Sequence, residues 1–208
     1  MGEHSQEPVY VFLVTSMATE IVVNHTVNPK YKDDIIPVVT NQWHVDLMRE
    51  AIKEANKAKL SDKHYSAGCV VAVDSKPFTR GFSREAGLDH HGAVDAALSK
   101  LEGKVPSFFF HYDLYCTIEP AGIRLNGRDT ETEKIVEMKI NRVFLGTCEP
   151  SYFVREKGYE VLREAGIEVY IVDEVGVAQG NLRKECLEPN MHLLFDGTDT
   201  INRVLREL

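Results

Sequence analysis

The sequence has no surplus of positive charge, no closely paired cysteines and no long apolar run, and each absence removes a class of protein. Lys and Arg number 24 against 32 Asp and Glu, a formal net charge of −8. That balance argues against general binding to nucleic acid, since duplex or tRNA recognition normally draws on a basic face. A small anionic ligand held by two or three local cations stays open. The four cysteines, Cys69, Cys116, Cys148 and Cys186, are widely spaced with no C-x-x-C pair. They read as reduced, mostly packed thiols of an intracellular, cytoplasmic protein. No apolar run approaches the length of a membrane span, so no membrane association is expected. The first seven residues are acidic and hold neither Lys nor Arg, so no signal peptide is expected either.

What is present suits one globular domain. The chain has 208 residues, 43% of them hydrophobic and 27% charged, enough for a sizeable core. Residues 9–15 and 21–23 are β-branched and aromatic, and the short interval between them suits a hairpin. With the polar stretch that follows, they form an N-terminal strand-rich extension over residues 1–40.

From about Gln42, Val45, Met48, Ile52 and Ala55 recur at helical spacing, with Asp46, Arg49, Glu50, Lys53, Glu54 and Lys57 on the other face and Asn41 as candidate cap. Residues 67–74 then form a nearly continuous apolar strand, which calls for cover on both faces. The stretch at residues 75–77 turns that strand into a second one. A helix follows with Val94, Ala97, Leu98 and Leu101 on its buried side, and Asp89 is its candidate N-cap. In the next strand Leu114, Cys116 and Ile118 point one way and Tyr115 and Thr117 the other. Thr130 and Glu133 fit a capping box, which puts Glu131 in a first helical turn. Strands near residues 142–147 and 168–172, with helices near 152–164 and 178–187, complete the alternation. The tail, residues 195–208, carries Ile201, Val204, Leu205 and Leu208 on one stripe and reads as a docking helix.

Two segments carry the chemistry: residues 89–98, DHHGAVDAAL, and residues 114–121, LYCTIEPA. They resemble the two signature segments of the RibD-like branch of the cytidine deaminase-like fold, the pyrimidine deaminases of riboflavin biosynthesis. Those enzymes carry His-Ala-Glu and Leu-Glu-Pro-Cys, then a second Cys shortly after. The resemblance covers about residues 42–194, so residues 41–194 are taken as the RibD-type domain. It implies a three-layer α/β/α sandwich with a mixed central sheet, as the alternating elements also do.

In that family the His and both Cys hold zinc, which activates a water, while the Glu moves protons. Here His91 stands at the first ligand, Gly92 at the Ala, Ala93 at the proton-moving Glu and Ala121 at the first Cys. The second Cys falls near Thr130 or Glu131. One imidazole cannot build a catalytic zinc site, which needs about three protein ligands. The expectation is therefore no metal, no other cofactor and no zinc-dependent deamination, with the existence of another catalytic activity left open. A replacement site from Asp89, His90, His91 and Asp95 competes with ordinary helix-start chemistry for Asp89 and Asp95.

The remaining candidates surround this centre. His64 and Tyr65 replace the Asn and Pro of the family's pocket-lining segment, while Gly68 and Cys69 match it. Glu119 has two readings: a carboxylate serving as acid, base or amine acceptor, or one that ties down its turn by accepting backbone N–H bonds. Glu131, facing inward, would need Arg128, His91 or a bound cation to neutralise it; facing outward, it is a favourable helix-start charge. Arg124, Asn126 and Arg128 could hold a phosphate or carboxylate, or could be solvated loop residues.

Candidate catalytic residues are thus His91, Glu119 and Glu131. Candidate substrate-binding residues are His64, Tyr65, His91, Glu119, Arg124, Asn126 and Arg128. The function they outline is a zinc-independent, non-deaminating RibD-like protein that binds or transforms a small nitrogen heterocycle or its ribosyl phosphate. The alternative is a catalytically silent subunit of an active metabolic enzyme. Domains of this kind often pair, so a homodimer is expected.

Overall fold

The alternating apolar faces of six strands are resolved into one mixed sheet covered by helices on both sides. The structure, a computed structural model, describes residues 36–87, 91–101, 111–122, 130–148, 158–174 and 181–194. Its elements are β1 (Val38–Val39), α1 (Gln42–Ala55), β2 (Gly68–Val73), β3 (Lys76–Phe82), α2 (Ala93–Ser99), β4 (Tyr112–Ile118), α3 (Glu131–Glu137), β5 (Arg142–Thr147), α4 (Gly158–Glu164), β6 (Glu168–Val172), α5 (Asn181–Leu187) and α6 (Met191–Leu194). The strand order is β1-β6-β5-β4-β2-β3. The β1, β6, β5 and β4 strands pair in parallel, whereas β2 runs antiparallel to β4 and to β3.

Strand alternation divides the core in two. Cys69, Val71, Leu114, Cys116, Val143 and Leu145 face the layer of α2, α3 and α4. Val70, Ala72, Tyr115 and Phe144 face α1 and α5. The expected alternation of Leu114 and Cys116 against Tyr115 is therefore observed, and the architecture is the expected α/β/α sandwich.

Local chemistry explains the joints. Asp74 and Ser75 have φ of 48° and 63°, the left-handed pair that a two-residue hairpin of the I′ kind requires. The turn thus sits at Asp74-Ser75, slightly before the expected one, and Lys76 and Pro77 already belong to β3. Proline is tolerated there because β3 is at the edge of the described sheet and the register shifts beside it. A Cβ on Gly68 would lie 1.9 Å from the Ala51 carbonyl oxygen, so α1 rests directly on the start of β2. Gly166, at φ 82°, ends α4 and delivers the chain to β6.

Helix α1 buries more than the expected stripe. Asn41 occupies the N-cap position, but its side chain makes no capping bond. His44, Leu47, Ala51 and Glu54 are buried in addition to the four apolar positions, and the Glu54 carboxylate is met by Lys57 Nζ at 2.7 and 2.8 Å. The strands expected at residues 9–15 and 21–23 and the tail helix expected at 195–208 lie outside the described residues. None of the described helices is long and apolar enough to cross a membrane.

Candidate functional site

The signature segments meet at the C-terminal ends of β4 and β5, beside the start of β2. Open α/β sheets bind ligands at such strand ends. Helix α2 starts at Ala93 with Gly92 as its N-cap, so His91 precedes the helix and does not share a helical face with Asp95. Asp95 accepts the Gly92 N–H at 3.1 Å and a bond from Lys134 Nζ at 2.6 Å. The acidic residue thus fixes the helix start. Asp89 and His90 lie outside the described residues, and the cap is Gly92 rather than Asp89.

Glu131 faces inward. The capping box forms: Thr130 Oγ1 accepts the Glu133 N–H at 3.1 Å and a Glu133 oxygen accepts the Thr130 N–H at 2.6 Å. As the first residue of α3, Glu131 then sends its carboxylate between the two signature segments. Oε1 accepts the Val94 N–H of α2 at 3.3 Å, and Oε2 accepts the Ala121 N–H at 3.0 Å. The Thr132 N–H bonds back to the Ala121 carbonyl at 3.3 Å. Backbone donors from two segments therefore serve the buried charge that the sequence left in want of a counter-ion.

Glu119 is engaged with the scaffold. Its backbone N–H meets the Thr147 carbonyl at 3.0 Å, and its Oε1 accepts the Tyr159 N–H at 2.9 Å. The carboxylate ties the end of β4 to the first turn of α4.

The residues present do not fit the zinc centre of the family that the sequence resembles. His91 can offer one imidazole, whereas Ala93 and Ala121 end in methyl groups and both Glu131 oxygens accept backbone N–H bonds. Cys116 does not supply a thiolate. Burial first, then the Cys69 thiol and the Glu131 carboxylate, push its thiol well above the ordinary value. Among the described residues no group of three or more His, Cys, Asp or Glu is placed to hold a metal ion.

The rim of the site is built by residues that the sequence did not single out. Arg84, held at φ 64°, donates from its guanidinium to the Lys59 carbonyl at 2.5 Å, the Tyr65 carbonyl at 2.8 Å and Ser66 Oγ at 2.8 Å. Its backbone N–H meets the His91 carbonyl at 2.8 Å. One residue thus connects residues 64–66 to the first signature segment. From the other side the fully buried Asn190 accepts the Ser66 N–H at 2.6 Å and donates to its carbonyl at 2.9 Å. His64 is exposed and Tyr65 half-buried on this clamped strip. The His91 ring places its Nδ1 out of solvent without a hydrogen-bond partner. Arg124, Asn126 and Arg128 lie outside the described residues.

The opposite end of the strands holds a different polar cluster. Arg142 grips Asp113 through two bonds of 2.7 and 2.6 Å, and His44 Nδ1 meets the Tyr115 hydroxyl at 2.9 Å. Burial pushes the Asp113 carboxyl up against the pull of Arg142. Burial, aided by the Arg142 charge, lowers His44 from 6.5 to about 3. An open groove lined by Trp43, His111, Asp113, Arg142 and Glu168 lies here and contains none of the signature residues.

No protein-family model matches the chain. It is 34% identical over 127 residues to the diaminohydroxyphosphoribosylamino-pyrimidine deaminase of Schizosaccharomyces pombe, covering 61% of this chain and 31% of the relative. It is 31% identical over 140 residues to the riboflavin biosynthesis protein RibD of Aquifex aeolicus, covering 66% and 36%. The chain therefore spans about a third of the length of these curated relatives. Among solved structures, the diaminohydroxyphosphoribosylaminopyrimidine deaminase/5-amino-6-(5-phosphoribosylamino)uracil reductase of Thermotoga maritima is similar at 25% identity and a TM-score of 0.58, over 71% of this chain and 39% of that one. The Rib2 deaminase of Aspergillus oryzae, at 21% identity, shares the fold with a TM-score of 0.66 over 79% of this chain and 99% of that one. With the signature segments brought together at one end of the sheet, the chain shares the cytidine deaminase-like fold of these structures and is similar in sequence to the RibD-type proteins, and its described residues hold no metal-binding cluster.

Proposed function

We propose that the protein is a zinc-independent, non-deaminating RibD-like protein that binds a small, flat nitrogen heterocycle or its ribosyl phosphate at the end of β4 and β5. The observation that carries this reading is His91 Nδ1, buried and unpartnered beside the rebuilt centre. A buried polar atom left without a bond costs about 1–3 kcal/mol, and a ligand with a ring N–H or ring nitrogen removes that cost. An imidazole nitrogen can accept from the ring N–H or, protonated, donate to the ring nitrogen. Tyr65 offers a ring for stacking, and Arg124 and Arg128 are the cations proposed to meet a phosphate. The relatives' names support the ligand class, since they act on a phosphoribosylamino-pyrimidine.

Deamination by the inherited route lacks its parts. The Ala93 methyl cannot move a proton to the leaving amine, and the Glu131 oxygens are committed to two backbone donors. Restoring Ala93→Glu or Ala121→Cys singly is expected to release no ammonia from a diaminopyrimidine ribosyl phosphate, because ligands and proton carrier act as one unit.

Thermal-shift screening against nucleotides, pteridines and flavin precursors, followed by calorimetry, tests the reading. One class should bind at micromolar affinity or better, and His91→Ala should weaken it at least tenfold, or about 1.4 kcal/mol. The saturation of Glu131 favours a second reading, a silent partner subunit whose old centre has become structural. That reading takes over if no compound binds below millimolar concentration or if His91→Ala leaves binding unchanged.

A further inference from the structure

Gly92 has no conformational reason to be glycine. Its φ of −77° and ψ of 167° are extended backbone that alanine adopts freely. Gly166 differs in both respects, with φ 82° and nothing within 4 Å of an added Cβ. At Gly92 a Cβ would stand 1.8 Å from Glu131 Oε1 and 2.7 Å from Glu131 Cδ. The obstacle is one side chain, and it belongs to the residue that joins the two signature segments.

We infer that Gly92 and Glu131 are a matched pair, in which a built-in carboxylate fills an anion-accepting hole between α2 and the Glu119-to-Ala121 turn and holds the two segments together without a metal. Three features support this role. The hole is lined by donors from separate segments, the Val94 and Ala121 N–H groups, so its occupant is a cross-link and not a local cap. The Glu131 residue is only 9% exposed, so its bonds escape most competition from water. Helix α3 grips the same helix start a second time one turn later, through Lys134 on Asp95. Gly92 thus sits between two contacts made by one helix. This role is independent of any heterocycle bound at His91.

The hole should accept a free carboxylate once its own is removed. In the full-length chain, Glu131→Ala is expected to lower the melting temperature by several degrees, and millimolar formate or acetate should restore part of the loss while leaving the wild type unmoved. Benzoate, far bulkier than the side chain removed, should restore nothing. Gly92→Ala should destabilise the wild type, because its methyl evicts the carboxylate from both donors, and should cost at least four times less in the Glu131→Ala background. If Glu131→Ala does not fold, the same cycle in Glu131→Asp, whose shorter side chain withdraws from Gly92, must show the same relief. Equal costs of Gly92→Ala in both backgrounds overturn the pairing. Formate that shifts the variant and the wild type alike, or neither, overturns the hole.

Discussion

Replacing Arg84 by alanine should loosen the strip that carries His64 and Tyr65 while leaving the strands intact, and the structure sets the size of the effect. The guanidinium donates to the carbonyls of Lys59, His64 and Tyr65 and to Ser66 Oγ. The bonds to Lys59 and His64 are exposed and exchange readily for water, so they count for little. The bonds to Tyr65 and Ser66, both 2.8 Å, are partly buried and charge-assisted. At about 1–1.5 kcal/mol each after this discount, their loss comes to about 2–3 kcal/mol. For a domain of this size that corresponds to a melting temperature about 5–10 °C lower. The backbone adds a second, separable effect. At φ 64° any side chain is strained, so Arg84→Gly should be about 1 kcal/mol more stable than Arg84→Ala although it loses the same bonds. Arg84→Lys, a point charge without the planar fork, should fall between wild type and alanine. Thermal unfolding of the three variants, read by circular dichroism, gives the order. An Arg84→Ala midpoint within about 1 °C of wild type, against the shift expected from size, would refute the clamp, and a glycine variant less stable than the alanine one would refute the strain.

Two further predictions concern the opposite end of the sheet. His44 falls from 6.5 to about 3 on folding, so the unfolded chain binds the extra proton between those values; stability present above pH 6.5 should decline as the pH drops toward 3, by about 1.4 kcal/mol per pH unit. Urea unfolding at several pH values should show this slope reduced by one proton in His44→Gln, and an unchanged slope would sink the assignment. Arg142→Met, which strands the buried Asp113 carboxylate, should cost about 3 kcal/mol, while Asp113→Asn combined with Arg142→Met should recover more than half of that. Equal losses in the single and double variants would show that the pair is not coupled.

The fold was largely legible because its signals are local and repeated. Apolar spacing at Val45, Met48, Ile52 and Ala55 located α1, strand alternation at Leu114 to Cys116 assigned faces, and Thr130 with Glu133 marked the start of α3. Burial of His44 and Glu54 was not legible, because periodicity weighs polarity and cannot foresee Tyr115 or Lys57 as partners. At the site, the resemblance drew attention to Ala93 and Ala121, but gave no sign of the bonds that Glu131 makes there. The capping box placed Glu131 in the first turn, yet which way that turn faces depends on α2, brought close only by the sheet. Arg84 and Asn190 left no signal, since one acts through a left-handed turn and the other on a backbone far away in sequence. A positive φ at an arginine is invisible to composition and spacing.

The residues around the centre make sense together in a way they do not singly. A metal cross-link is conditional, since its ligands hold only when deprotonated and loaded. A carboxylate carried on α3 is supplied by folding itself, once backbone donors replace the solvent it leaves. Gly92 leaves the space open, Glu131 enters it, and Ala121 contributes its N–H to the carboxylate. Joined in this manner, the two segments are held by bonds that do not involve the His91 ring. Its carbonyl still anchors the segment through Arg84, while its Nδ1 stays buried without a bond. Structure and recognition are thereby separable: Glu131 holds the frame through two backbone donors, and in the function proposed above His91 Nδ1 is the atom that would meet a ligand.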